Sequence, residues 1–306
     1  MNKKFGILPC LLVITILGMV LLNQSGLRSK PLSEAKMNTN GLIVLLTDYG
    51  EKDFYVGALK GSIYSTYEKA RIDSITHQIT KFAIAEGAYT LARAAAEFPG
   101  GTVFVAVVDP GVGSERKPIA LKTKDGKYFV GPDNGLFTLV LEEFGLAELR
   151  EITNSALMRK TQLSSTFHGR DIFGPVAAHL AAGTPLEEVG PLMKNCIKLK
   201  IQQARVVNGQ IIGEISSIDV YGNAITNISQ QLFDEAGFRR GDILNLQFAN
   251  GSVIECQYSK TYSDVSVGQY VCLFGTGGFE IAINQGDLAQ KLNLKSRMKV
   301  TVSTGR

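Results

Sequence analysis

From Gly41 onward the chain alternates apolar runs with polar, glycine-marked breaks, and the period of those runs predicts its elements. Leu42–Thr47 (LIVLLT) is continuously apolar and runs into Asp48-Tyr49-Gly50, the form of a strand buried on both faces that enters a loop. Tyr55–Tyr67 places Val56, Leu59 and Ile63 at helical spacing, and Ile72–Thr76 reads as a second strand. Ala83–Phe98 is an alanine-rich helix, and Thr102–Val108 (TVFVAVV) is a third apolar strand ending at Asp109-Pro110-Gly111. This strand-helix-strand-helix-strand order predicts right-handed crossover units and a parallel sheet with both faces covered. Pro118–Thr123 and Lys127–Val130, separated by Lys124-Asp125-Gly126, read as a hairpin, and Leu136–Phe144 and Ile172–Ala182 as further helices.

Beyond about Lys200 the period shortens. Alternating runs at Lys198–Gln203, Ile211–Ile218, Ile243–Phe248, Val253–Tyr258 and Met298–Ser303 are broken by Asn208-Gly209, Tyr221-Gly222-Asn223 and Asn250-Gly251. That texture predicts an antiparallel sheet or small barrel. The expected class is therefore α/β, with an N-terminal domain of mostly parallel sheet over 41–195 and a C-terminal β-barrel-like domain over 196–306. The boundary is expected near 190–203, and no internal repeat is visible.

Residues 1–40 differ from this body. Met1–Lys4 is a short basic start, Phe5–Leu22 is an uncharged apolar run, and the stretch from Asn23 to Asn40 is polar. That pattern is expected of a signal peptide or a membrane anchor followed by a linker. The expected localisation is exported or membrane-anchored through residues 5–22, with the extracytoplasmic side favoured; the weak cleavage pattern leaves open whether the leader is removed.

Charge then changes meaning. The 306 residues carry 32 Lys+Arg against 28 Asp+Glu, a formal +4. Lys3, Lys4, Arg28, Lys30 and Lys36 against Glu34 account for the whole surplus, so the body is neutral and offers no bulk attraction to nucleic acid. Four cysteines do not make a disulfide scaffold; outside the leader, Cys196, Cys256 and Cys272 read as buried thiols, with no pairing fixed.

Several catalytic signatures are absent from the sequence: no phosphate-binding P-loop, no GxSxG elbow, no HExxH and no CxxC. With only His77, His168 and His179, a histidine-rich metal site is not expected. Four polar, glycine-rich segments stand where chemistry tends to sit: Thr47–Gly50 with Asp53, Asp109–Arg116, Ser164–Asp171 and Asp219–Asn223. The first two close strands, and in open α/β sheets ligands bind at the carboxyl ends of strands, so these loops are candidates to share one crevice. Each also has a plain reading. A strand-end Asp can be a turn former, Gly111 and Gly113 can permit a tight turn, His168-Gly169-Arg170-Asp171 can be a solvated helix cap, and Tyr221-Gly222-Asn223 an ordinary hairpin turn.

Taken together, TDYG at Thr47–Gly50, VDPGVGSER at Val108–Arg116, PDNGL at Pro132–Leu136, SSTFHGRDIFGP at Ser164–Pro175 and IDVYGN at Ile218–Asn223 resemble the S-adenosyl-L-methionine (SAM) hydroxide adenosyltransferases, or SAM hydrolases, relatives of the fluorinase and chlorinase enzymes. The resemblance runs from about Gly41 to the C-terminus. It implies attack of water on C5′ of SAM, giving adenosine and L-methionine, with SAM as substrate and no cofactor or metal. It also implies a homotrimer whose sites lie between one subunit's N-terminal domain and its neighbour's C-terminal domain.

By resemblance, the catalytic set falls on Asp109, Arg116 and His168. Asp109 and His168 would hold and polarise the water, and Arg116 would keep Asp109 ionised and oriented. Asp48 matches the carboxylate gripping the ribose hydroxyls, and Asp53 and Asp219 match acidic positions near the methionine ammonium. Tyr221 and Asn223 match an aromatic stack and an amide on the adenine, while Phe82, Thr166 and Phe167 match pocket walls. The halogenases carry a non-acidic residue at the Asp109 position and a long insertion where this chain has the tight Lys122–Tyr128 connection. Both features set a chloride-using halogenase behind the hydrolase expectation, and the intact set Asp109, Arg116 and His168 does the same for a non-catalytic SAM- or adenosine-binding protein.

Overall fold

The computed structural model describes residues 39–304. Its first half builds a six-stranded sheet from β1 (Leu42–Thr47), β2 (Arg71–Thr76), β3 (Val103–Val107), β4 (Pro118–Thr123), β5 (Tyr128–Pro132) and β6 (Leu146–Glu151). The spatial order is β2-β1-β3-β5-β4-β6. The strands β2, β1, β3 and β5 run parallel; β4 alone is reversed, antiparallel to both β5 and β6, so β6 points the same way as the first four. The helices are α1 (Tyr55–Thr66), α2 (Ile84–Ala95), α3 (Thr138–Phe144) and α4 (Gly174–Ala181).

The continuous apolar character of β1 follows from burial on both sides. Ile43 and Leu45 pack in one cluster with Leu59 and Ile63 of α1 and Val176, Ala177 and Leu180 of α4. Val44 and Leu46 face the other way, against Ala88, Leu91 and Ala92 of α2 and Leu136 and Phe137. Truncating such a fully buried leucine to alanine removes contacts that nothing refills, typically about 2–5 kcal/mol.

The second half contains β7 (Arg205–Val207), β8 (Gln210–Ile218), β9 (Ala224–Thr226), α5 (Gln230–Ala236), β10 (Ile243–Phe248), β11 (Val253–Tyr258), β12 (Tyr270–Gly275), β13 (Gly278–Ile283), α6 (Leu288–Leu292) and β14 (Lys299–Thr304). Seven strands run β14-β10-β11-β12-β13-β9-β8 and close through a β14–β8 pair, with β7 beside the start of β8. Alternate side chains, among them Leu244, Leu246, Phe248, Val300 and Val302, fill the barrel interior, as a small closed sheet requires. One pair, β11 with β12, is parallel within this otherwise antiparallel barrel.

Several expectations need correction. Lys198–Gln203 forms no strand, although its residues alternate; it lies in the stretch joining the two sheets, where Leu199 packs onto the first sheet's core instead of onto a ladder. The helix expected over Ile172–Ala182 is two pieces, a π-helical turn at Gly169–Phe173 followed by α4. The expectation of buried thiols holds for Cys256 and Cys272, which are buried and free, and is corrected only for Cys196, a half-buried free thiol.

Export or membrane anchoring is also corrected. The longest described helices, α1 and α2, have 12 residues each, about 18 Å of rise against an apolar bilayer core of about 30 Å. No helix among the described residues is long and apolar enough to cross a membrane, and residues 5–22, on which that expectation rested, lie outside the described residues.

Candidate active site

The neighbours β1 and β3 are in register, Thr47 opposite Val107, so Asp48 and Asp109 leave adjacent strands side by side at their carboxyl ends. Both line a cavity of about 380 Å³, together with Asp53, Phe82, Thr166 and His168. Six of the residues expected at the site therefore meet in one cleft. Tyr49, Tyr55 and Lys81 line it too. Sequence reasoning missed Tyr55 and Lys81, because neither stands in a strand-end motif; proximity to Asp53 and Phe82 was the available signal.

At the inner wall Arg116 joins two loops. Its Nε donates to both carboxylate oxygens of Asp109 at 3.0 Å, and its Nη2 donates to Oδ2 at 2.5 Å. The same Nη2 donates to His168 Nδ1 at 2.7 Å. Arginine has no acceptor, so Nδ1 must present its lone pair, which places the ring proton of neutral His168 on Nε2. Burial, then the positive charge of Arg116, holds His168 below the ordinary imidazole range against the opposing pull of Asp109 and Asp171. The Arg116 and Asp109 side chains are 8% and 5% exposed, and the guanidinium lies 5.3 Å from the Phe173 ring centroid.

Two backbones meet closely to make this geometry. Gly113 has φ +81°, and a Cβ there would stand 2.8 Å from the Ser165 carbonyl oxygen. Glycine is thus required twice over, for its conformation and for the contact between the Asp109–Arg116 and Ser164–Asp171 loops. Gly169 makes the matching approach to Tyr49, whose hydroxyl would be 2.3 Å from an added Cβ. Burial, then the charges of Asp48 and Asp109, pushes the Tyr49 hydroxyl well above the usual phenol range, so it stays a protonated donor.

Asp171 is not a solvated cap. It is fully buried and accepts from Arg170 Nε at 2.6 Å and Nη2 at 2.9 Å, from Arg159 Nη1 at 3.1 Å and from Ser164 N–H at 2.7 Å. Burial alone would raise its pKa, but these donors outweigh it and hold the carboxyl below the usual range. The Ser164–Asp171 loop, with Thr166 and His168, is pinned by this anchor. Phe167, expected as a pocket wall, turns the other way. It is 7% exposed and stands edge-on to Tyr49 and Tyr55 at 5.8 and 5.2 Å, so it backs the cleft rather than lining it.

Asp48 Oδ2 accepts the Phe82 N–H at 3.0 Å, where Phe82, at φ +67°, lines the cleft and is 67% exposed. Left-handed backbone at a bulky residue costs roughly 1–2 kcal/mol and persists only where the surroundings impose it. At the other end of the β1 loop, Thr47 Oγ1 is 2.8 Å from Nδ1 of the buried His77, whose carbonyl accepts the Gly50 N–H at 2.7 Å.

Asp219, Tyr221 and Asn223 do not join this cleft within the chain. They form the turn between β8 and β9, where Asp219 Oδ1 accepts the Tyr221 and Asn223 N–H groups and Oδ2 accepts the Asn223 amide, all at 2.9 Å. Tyr221 and Asn223 line a separate cavity of about 490 Å³ with Tyr262 and Gln285, and the two cavities share no lining residue. Tyr221 and Val220 are 74% and 90% exposed. Tyr262, unmarked by any motif, donates its hydroxyl to the buried Glu280, whose carboxyl is raised by burial and by Asp219 nearby. Among the described residues no group of three or more His, Cys, Asp or Glu side chains is arranged to hold a metal ion.

Comparison with known proteins agrees with this geometry. Residues 43–190 match the SAM hydroxide adenosyltransferase N-terminal domain, and residues 213–301 match its C-terminal domain. A Methanocaldococcus jannaschii protein named (R)-S-adenosyl-L-methionine hydrolase is 37% identical over 262 residues, 83% of this chain and 92% of that protein. An Actinoplanes protein named fluorinase is 29% identical over 294 residues, 87% of this chain and 98% of that protein. The crystal structure of an uncharacterized conserved protein from Thermotoga maritima superposes with a TM-score of 0.81 at 42% identity, covering 85% of this chain and 99% of that one. The chain belongs to the SAM hydroxide adenosyltransferase family.

Proposed function

We propose that the chain hydrolyses S-adenosyl-L-methionine to adenosine and L-methionine, by in-line attack of one water on C5′. The observation that carries this reading is the Asp109–Arg116–His168 cluster at the head of a carboxylate-lined cleft. The hydrolase name of the M. jannaschii relative supports it.

The sulfonium is already a cationic leaving group, so no acid is needed: the C5′–S bond breaks with its electron pair returning to sulfur, giving neutral thioether. What remains is to align one water and take its proton. His168 offers only an Nε2–H, so it donates to the water oxygen and orients a lone pair toward C5′. Asp109, held by the Arg116 fork, accepts the proton as the O–C5′ bond forms. Positioning of this kind contributes ~7–11 kcal/mol to lowering the barrier, and a placed base ~10²–10⁴-fold. A carboxylate at this wall repels a halide, which opposes a fluorinase- or chlorinase-like reaction.

For the substrate, Asp48 holds the ribose hydroxyls and Asp53 the methionine ammonium, with Phe82 and Thr166 as walls. The cleft's three aspartates against Lys81 suit a cation. Asp219, Tyr221 and Asn223 would be supplied by the C-terminal domain of a second copy in a homotrimer, with Tyr221 stacking on the adenine. Their separate cavity and the exposure of Tyr221, Val220 and Phe82 favour that arrangement. No metal or cofactor is called for in this reaction.

The test is product analysis after incubation with SAM in high chloride. Equimolar adenosine and L-methionine are expected. Chlorodeoxyadenosine as main product would replace the reading with a halogenase, and binding without methionine release would replace it with a binding protein.

A further inference from the structure

A third cavity, about 790 Å³, opens between α1, the start of α4 and the segment around Met158–Thr161. Its polar lining includes Arg159, Lys160, Arg170 and the hydroxyl residues Ser62, Ser65 and Thr161, and no lining residue is acidic. The α1 wall, Tyr55–Thr66, carries no Asp or Glu either. Against these three cations stands one carboxylate, the buried Asp171, which engages Nη1 of Arg159 and Nε and Nη2 of Arg170. Lys160 is held by a neutral group, the Ala156 carbonyl. The positive charge is therefore only partly balanced inside a concave, partly screened space, where Coulomb attraction outlasts that at an open surface.

We infer that this cavity is a second ligand site, for a small phosphate-bearing polyanion. The loop from Ser164 to Asp171 separates two cavities of opposite character: Thr166 and His168 face the aspartate-lined cleft, while Arg170 faces the basic one. A polyanion is repelled by Asp48, Asp53 and Asp109 and drawn to Lys160 and to the guanidinium N–H groups of Arg159 and Arg170 that Asp171 leaves over, which are charge-assisted donors to phosphate oxygens. Thr161 adds a neutral hydroxyl to the lining, while the Ser65 hydroxyl donates to the Gly61 carbonyl and offers its oxygen only as an acceptor.

The test is calorimetric titration of the intact chain with inorganic pyrophosphate, without SAM. Binding at one site per chain is expected, weakening as salt rises. Lys160→Glu should lower the affinity about tenfold or more. Lys160→Gln should lower it less, and both variants should unfold at the wild-type temperature because Lys160 is exposed. Absence of pyrophosphate binding, or equal affinity in Lys160→Glu, would overturn the inference. Binding is read without turnover, so this result and that of the SAM assay stand or fall separately.

Discussion

Replacing Arg116 by glutamine should damage stability and catalysis through two separable routes. Arg116 and Asp109 form a pair that is 8% and 5% exposed, with three N–H···O contacts of 2.5–3.0 Å. Removing one partner of a buried pair leaves a desolvated charge and costs about 3–5 kcal/mol, whereas removing both is much cheaper. In chemical denaturation, Asp109→Asn combined with Arg116→Gln should therefore be more stable than Arg116→Gln alone.

The second route is protonation. In the wild type, burial first and the Arg116 charge second depress His168, opposed by Asp109 and Asp171. Without the guanidinium the two carboxylates face less opposition, so the pKa of His168 rises. The ring then becomes protonated at higher pH and turns an Nδ1–H toward Asp109. The acid limb of kcat should move to higher pH, and kcat at its plateau should fall ~10²–10³-fold through lost orientation. Histidine ring titration by NMR, alongside kcat between pH 5 and 9, checks both. An unchanged His168 titration, or a double variant whose loss equals the sum of the singles, would refute the reasoning.

Three further outcomes follow. Gly113→Ala, at φ +81° and 2.8 Å from the Ser165 carbonyl, should cost about 1–2 kcal/mol of backbone strain and lower kcat/KM ~10–100-fold by moving His168's loop; wild-type kinetics would remove that contact from the account. If one subunit's cleft is completed by another's β8–β9 turn, co-expressed Asp109→Asn and Asn223→Ala chains, each inactive alone, should regain turnover in mixed assemblies, and no regain would confine each site to one chain. Burial is the leading cause holding His77, His168 and His179 below their ordinary range, so the unfolded chain binds protons near pH 6.5 that the folded one refuses. Stability should accordingly fall as pH drops through that value, by at most about 1.4 kcal/mol per pH unit for each histidine, partly offset by the raised carboxyls of Asp133, Glu214 and Glu280; a flat denaturation midpoint from pH 7 to 5.5 would contradict it.

What was legible in the sequence was what local periodicity encodes. The unbroken run Leu42–Thr47 announced a strand buried on two faces, and β10 and β11 fall on the alternating runs Ile243–Phe248 and Val253–Tyr258. Lys198–Gln203 alternates as well, but alternation alone does not supply a strand to pair with. The tips Asp48 and Asp109 were readable as neighbours because parallel crossover topology places successive strand ends together. The bond from Arg116 to His168 was not, since it spans 52 residues and depends on Gly113 and Gly169 letting two loops and Tyr49 close up. Phe167 is a pocket wall by resemblance, yet its neighbours Thr166 and His168 line the cleft while its own ring packs edge-on to Tyr49 and Tyr55, a placement that only the tertiary contacts decide.

The central claim is that one water, held by Asp109 and His168, becomes the 5′ hydroxyl of the product. Turnover of SAM in oxygen-18 water tests it most directly, with mass spectrometry of the nucleoside and quantitation of methionine. The account predicts one oxygen-18 atom in each adenosine, at the 5′ position, with an equal amount of L-methionine and loss of both products in Asp109→Asn. Unlabelled adenosine, or a nucleoside carrying halide at C5′, would contradict it.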